Sequence, residues 1–305
     1  MKIRQAAFEG KNKMLRGNLH CHTTRSDGKG TPENVIRQFE NSGYDFLALT
    51  DHRYYNYENF AEGSNLLIIP GMEMDCKLPG AGIHCIHTVA VGPEKQDGNG
   101  YEQDQRLQSG VYECAADAQP MFDDIIANNN LAIFCHPNWS GNTSAEVQAV
   151  KGYTMIEVWN SGCAMTNHLD YAAPYWDELL LDGQHVWGVA TDDGHPVKDH
   201  CHGWVRVNAE KNVSSVLDAL KRGAFYASTG PEIYDFFVED GVATVMCSPC
   251  SEIRFRHFRV PYGVQCGYDI TGASQQVREG TNYIRAEVVD DKGRVAWTNP
   301  IFLAW

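Results

Sequence analysis

Short apolar runs in this chain end, one after another, in histidine or acid. The first reads Leu15–Gly28, LRGNLHCHTTRSDG, and carries His20 and His22 two residues apart. Side chains at i and i+2 of a strand share a face, so two imidazoles can converge on one point. Asp27 follows in a Ser-Asp-Gly turn able to fold back over it. The pattern recurs at Asp51-His52 after YDFLALT, and at Glu73 after the run over 66–69. It recurs again at His87 within IHCIHTVAVG, at His136 after LAIFC, and at Asp192-Asp193-Gly194-His195 after VWGVAT. A fold able to use all of these must bring many strand ends to one place.

Between the runs lie helix signals. Thr31-Pro32-Glu33 supplies an N-cap and a first-turn proline, and Gly43 supplies the stop. Further helices are expected over 119–130, 144–151, 175–181 and 213–222. Near-continuous apolar strands alternating with helices are usually parallel and covered on both faces. About seven such units suit an α/β barrel, where chemistry gathers at the C-terminal ends of the strands. After Gly230-Pro231 the texture changes to short alternating runs split by turns, which predicts a small antiparallel β domain, sandwich-like. The expected division is a barrel over 1–232 and an all-β unit over 233–305. Residues 1–13 read as a leading strand or arm, and 93–110 as a surface loop.

Composition narrows the function. Lysine and arginine number 25 against 39 acids, a net charge of −14, which disfavours general nucleic-acid binding and suits bound divalent cations. No apolar run approaches the roughly 20 residues of a membrane helix, and the N-terminus has no apolar signal core. A cytoplasmic protein with reduced thiols is expected from that reading. Of the ten cysteines, Cys21, Cys85, Cys135 and Cys201 lie in or beside apolar strands, as small hydrophobes. Cys247 and Cys250 form a lone Cys-x-x-Cys, too isolated to argue zinc or redox chemistry.

The candidate ligands are His20, His22, Asp27, His52, Glu73, His87, His136, Asp192 and His195. Nitrogen and carboxylate donors without cysteine suit Mn, Fe or Zn. Nine donors exceed what one ion uses, so two or three divalent ions are expected, with Glu73 as a bridge. Asp193 reads as a turn cap, and Glu157 as a hydrogen-bonding residue rather than a ligand.

His20-x-His22-Thr23, Thr50-Asp51-His52, Gly71-x-Glu73, His136-Pro137 and Thr191-Asp192-x-x-His195 together resemble the motif series of the PHP (polymerase and histidinol phosphatase) metallohydrolases. The resemblance covers about residues 14–230. Within that superfamily the chain looks most like the CehA/McbA-like branch, on Glu157-Val-Trp-Asn160 and the run from Arg222 to Pro231. The resemblance implies a distorted (β/α)7 TIM-like barrel with a bi- or trinuclear centre. It assigns His20, His22, Glu73 and Asp192 to one ion, Glu73, His87 and His136 to a second, and Asp27, His52 and His195 to a third. His87 is preferred to His84 because His-x-Val-x-x-Gly follows it.

The expected activity is hydrolysis of a small phosphate mono- or diester by a metal-bridging hydroxide, with His195 or Asp27 assisting the leaving group. The alternative keeps the metals and cleaves a carbamate or ester. A third possibility is a non-catalytic, metal-stabilised binding protein. The substrate is expected to be small and anionic, met by Arg25, Arg53, Asn138, Lys198 or His202. Tyr54, Tyr55, Tyr57, Trp139 and Trp159 read equally as a pocket wall or as packing. The oligomeric state is not readable.

Overall fold

The computed structural model describes residues 4–8, 14–80, 82–95, 100–258 and 260–303. Of the expected leading arm, a strand Arg4–Ala6 is seen, and residues 1–3 and 9–13 lie outside the described residues. Of the expected loop 93–110, residues 96–99 lie outside them.

Local chemistry sets the helices. Pro32–Asn41 starts where Thr31 Oγ1 accepts a hydrogen bond from Asn34 N at 3.3 Å, and it buries Val35, Ile36 and Phe39 on one face. Ser144–Ala149 opens with a reciprocal capping box between Thr143 and Glu146. Val213–Arg222 closes on Gly223, whose φ of +73° suits glycine. A short helix, Ser161–Thr166, was not expected from the sequence.

Two sheets hold the site. One has the strand order Trp187–Thr191, Met155–Asn160, Leu131–Phe134, Cys85–Val91, Gly71–Lys77 and Gly110–Val111. The other includes Leu67–Ile68, Phe46–Leu47, Met14–Asn18, Trp204–Asn208 and Phe225–Ser228 before running on into the C-terminal strands. Backbone bonds tie the two together along two seams. At the first, Asp193 N donates to His20 O (2.9 Å) and His22 N to Gly194 O (3.1 Å). At the second, Glu73 N donates to Thr50 O (3.1 Å) and Arg53 N to Glu73 O (2.7 Å).

The strands are not uniformly parallel as expected. Cys85–Val91 runs antiparallel to both Gly71–Lys77 and Leu131–Phe134. The link from Lys77 to Cys85 is too short for a crossover helix, so the chain folds back as a hairpin. Trp204–Asn208 is likewise antiparallel to Met14–Asn18 and Phe225–Ser228.

Beyond residue 232 every strand pairing is antiparallel. Val242–Arg256 and Pro261–Gln276 form one long hairpin where shorter pieces were expected. These strands share a sheet with earlier ones: Val295–Thr298 pairs with Phe225–Ser228, and Arg4–Ala6 pairs with Ile233–Glu239. The core also crosses position 232, since Tyr283 and Trp297 belong to the cluster containing Trp176 and Leu179. Beneath that contact lies a buried ion network. Arg285 is fully buried and grips Asp177 with two nitrogens, both at 2.9 Å. It also donates to Glu287 Oε1 at 2.8 Å, and Arg256 meets the same oxygen at 2.7 Å. Such a pair stands only because its charges satisfy one another.

Candidate metal centre

Met14–Asn18 delivers His20 and His22 to one side, while Cys21 between them enters the apolar cluster of Val35, Ile36 and Phe39. The two Nε2 atoms face each other at 3.2 Å. His20 Nδ1 is bonded to Glu157 Oε1 at 2.7 Å, which leaves Nε2 as the lone-pair end pointing inward. Glu157 also accepts from Thr191 Oγ1 (2.6 Å), His136 N (2.8 Å) and Asn160 Nδ2 (2.9 Å), so both its oxygens are held.

Glu73 is the centre of the arrangement. Its side chain is 1% exposed and five imidazoles surround it. Oε1 lies 2.9 Å from His87 Nδ1, 3.3 Å from His20 Nε2 and 3.5 Å from His136 Nε2. Oε2 lies 2.8 Å from His52 Nδ1 and 3.3 Å from His22 Nε2. The His52 Nδ1 and Glu73 Oε2 atoms are buried yet make no hydrogen bond of acceptable geometry. Buried polar atoms without partners are rare and need a reason.

Asp27 sits at the rim, half-exposed, with His195 Nε2 at 3.4 Å and His52 Nε2 and His22 Nδ1 at 3.7 Å. Asp51 fixes its loop, accepting from Thr23 N and Oγ1 and from Ser26 N and Oγ at 2.7–3.1 Å. Gly28 closes the turn where a Cβ would stand 2.5 Å from the His22 backbone.

Asp192, expected among the ligands, faces elsewhere. Its carboxylate accepts from the backbone N–H groups of Cys201, Gly203 and His202 at 2.6, 2.8 and 3.0 Å. Asp193 takes the inward place, with Oδ1 at 3.0 Å from His22 Nε2 and 3.2 Å from His20 Nε2, and Oδ2 at 3.6 Å from His136 Nε2. The backbone explains the exchange. Asp193 has φ of +47°, so the strand alternation ends one residue early. Arg53 (φ +63°) and His136 (φ +26°) are also in the left-handed region, beside the same centre. Strained backbone of this kind persists where the surroundings over-determine it.

His87, not His84, meets Glu73; His84 instead bonds Glu146 of the capping box at 2.9 Å. The basic residues expected to meet substrate are otherwise engaged. Arg25 is paired with Asp104 and bonded to Asn56, and Arg53 is paired with Asp75. Lys198 is exposed and its carbonyl bonds His202 Nε2 at 2.8 Å. Asn138 is half-buried in the turn after His136, its carbonyl accepting from Gly141 N. Trp139 stands edge-on to His136 and His87, with ring centres 5.0 and 5.9 Å away. Tyr55 is core, its hydroxyl bonded to Asn130.

The electrostatics match the geometry. Burial pulls His20 down, but Asp193, Glu73 and Glu157 outweigh it and hold the imidazole well above its usual range. Burial also opposes charge on His22, yet Asp193 and Glu73 raise it to about 9. Glu73 and Asp193, though buried, are driven well down by the surrounding histidines. Asp192 is pushed up to about 7 by burial, against its three backbone donors. Metal-free, the centre thus balances its acids with protons on imidazoles, and divalent cations would displace those protons.

Among the described residues four groups have donor atoms close enough together for one ion: His22, Asp27, His52 and His195; His20, His22 and Glu73; His52, Glu73 and His87; and His20, Cys135 and Glu157. In the first three the donors are imidazole and carboxylate, suited to Mn, Fe or Zn. Residues 18–136 match the family model of the PHP domain. That match makes 119 of the 305 residues similar to a PHP domain. It encloses every strand end named here except those after Met155–Asn160 and Trp187–Thr191. None of the curated proteins matches this chain. Among solved structures, this chain is similar to a two-domain protein from Bacteroides vulgatus ATCC 8482, described as containing a predicted PHP-like metal-dependent phosphoesterase. That pair shares 16% identity over 96% of this chain and 98% of the other, with a TM-score of 0.49. It is also similar to PsfC from Pseudomonas syringae PB-5123 (14% identity, 65% and 83% of the two chains, TM-score 0.44) and to an amidohydrolase from Chromobacterium violaceum (15%, 59% and 88%, TM-score 0.40). Among the described residues no helix is long and apolar enough to cross a membrane.

Proposed function

We propose that this protein is a metal-dependent hydrolase acting on a small phosphate mono- or diester. The observation that carries the reading is Glu73: a buried carboxylate ringed by five imidazoles, with donor atoms facing one another and two left without hydrogen bonds. We assign one ion to His20, His22, Glu73 and Asp193, a second to Glu73, His87 and His136, and a third to Asp27, His52 and His195. Ions bound there would lower the pKa of water toward neutrality and offset the charge that develops on the ester. The scaffold we propose is the distorted (β/α)7 barrel over 1–232, whose missing edges are the two seams, with 233–305 as the added β unit. Two or three ions of Mn, Fe or Zn are equally compatible with these donors, and ten free thiols suit a reducing cytoplasm.

The residues of the chain divide the remaining work. Glu157 fixes the ring of His20 and, through His136 N, the turn that carries a second imidazole. Asp27 and His195 are the most exposed members at 54% and 32%, so they meet an entering substrate first. We assign them to the leaving group. Burial lowers His195, but Asp27 and Asp193 raise it above the ordinary histidine value, so with the third ion absent His195 would hold a proton for the leaving group.

One observation favours the carbamate or ester alternative of the CehA/McbA-like branch. Arg25 and Arg53 are already neutralised by Asp104 and Asp75, and Trp139 offers an aromatic edge beside His87 and His136. A neutral aryl substrate suits such a rim. The test is turnover by protein loaded with manganese, and separately with zinc, on matched aryl phosphates and aryl carbamates. Hydrolysis of the phosphates supports the first reading. Hydrolysis of the carbamates alone replaces it with the second, and turnover of neither series by protein shown to hold metal overturns both.

A further inference from the structure

We propose that Cys247 and Cys250 are a dithiol switch, closing to a disulfide at the corner where the long strand changes partners. Their sulfurs lie 3.7 Å apart, the one sulfur–sulfur contact among the described residues. A bonded pair sits about 2 Å apart, so small rotations close the gap.

The corner is built to hold them there. Val242–Arg256 pairs with Ile233–Glu239 up to Cys247, and with Tyr283–Val289 from Glu252 onward. The register against Pro261–Gln276 slips between Met246 and Cys250, and again before Glu252. Ser248-Pro249 spans this break, and proline removes a ladder donor where the sheet has none to satisfy. Both flanks are pinned. Ser248 N donates to Glu232 O (2.8 Å) and Glu232 N to Ser248 Oγ (3.0 Å). Ser251 Oγ bonds Asp290 O (2.9 Å) and Val289 O (3.1 Å). With the ends fixed, the two thiols cannot drift apart.

Both thiols are buried, Cys250 at 4% and Cys247 at 1% exposure, and of the two Cys250 borders open space. Cys250 lines a cavity of about 410 Å³ together with Pro249, Gly267, Tyr268 and Asp291. Cys247 is buried behind it. This fixes the order of events with a low-molecular-weight disulfide of the glutathione type as oxidant. The Cys250 thiolate attacks one sulfur of that disulfide and releases a thiolate. Cys247, giving up its proton, then attacks Cys250 Sγ and releases the second. The protein thiols lose two electrons, and the small disulfide becomes two thiols with the two protons. Burial raises both thiols, Cys247 to about 12, so exchange accelerates with pH.

The test uses the full-length, metal-loaded protein in glutathione disulfide, followed by alkylation under denaturing conditions and peptide mapping. The expected product is one peptide carrying Cys247 and Cys250 joined, lighter by two hydrogens and restored by dithiothreitol. In Cys247→Ser the reaction is expected to stop at a mixed disulfide on Cys250. Two results overturn the proposal. One is recovery of both cysteines alkylated after exposed Cys114 and Cys266 have been fully oxidised. The other is a Cys250 that links to Cys266 instead.

Discussion

Asp192 and Asp193 are neighbours whose carboxylates end on opposite sides of the chain. One is wrapped by three backbone N–H groups and the other faces four imidazoles. Their variants separate cleanly. Asp193→Asn is expected to lower the metal bound per chain, measured by elemental analysis of the purified protein. Asp192→Asn is expected to keep its metal and lose about 1–3 kcal/mol of stability, a fall of several degrees in Tm. Glu157→Gln keeps the shape but weakens the hold on His20, and metal affinity is expected to drop about 10–100-fold in competition with a chelator. The imidazoles also predict a pH dependence. His22 titrates near 9 in the folded metal-free chain against an ordinary 6.5. Its contribution to stability is therefore complete below pH 6.5 and is lost as pH rises through 9. The Tm of metal-free protein is expected to fall over that interval. Adding metal at neutral pH is expected to release protons, read by titration in weak buffer. At this scale most of the centre could be read in advance, because i, i+2 spacing and strand ends locate the imidazoles. The choice between the two aspartates could not, because it depends on a positive φ at Asp193 that no periodicity reports.

Strand direction was readable in part. The brief link between Lys77 and Cys85 excludes a parallel crossover, and the antiparallel hairpin follows from that length alone. The long hairpin was hidden for compositional reasons. Pro249 interrupts one strand, and Pro261–Gln276 carries glycines at 263, 267 and 272 and leaves much of its length to solvent, so no two-faced alternation marks it. One element sensitive to small change is the start of Trp204–Asn208. Gly203 donates to Asp192 there, and a Cβ would stand 2.8 Å from Thr191 O and from the Trp159 ring. The carbonyl cannot move without loosening the seam that carries Asp193. Gly203→Ala is expected to cost about 1–3 kcal/mol in chemical denaturation and to weaken metal retention with it.

The whole molecule is held across position 232 by a shared core and by Arg285. Replacing Arg285 with methionine leaves buried Asp177 without its paired cation, while Glu287 keeps Arg256. The expected loss is about 3–5 kcal/mol, seen as a fall on the order of 10 °C in Tm. Removing residues 233–305 strips Tyr283 and Trp297 from Trp176 and is expected to give an aggregating product, checked by size-exclusion chromatography. The change of texture near residue 230 is visible in the sequence, but the buried ion network is not, because Asp177 stands 108 positions from the Arg285 it pairs with.

Arg4–Ala6 finds its partner only at Ile233–Glu239. During synthesis at about 5–20 residues per second, that first strand waits roughly 10–50 s for its mate to leave the ribosome. Until then Arg4–Ala6 lacks its sheet partner, so a chaperone that shields emerging segments would have that interval in which to hold it.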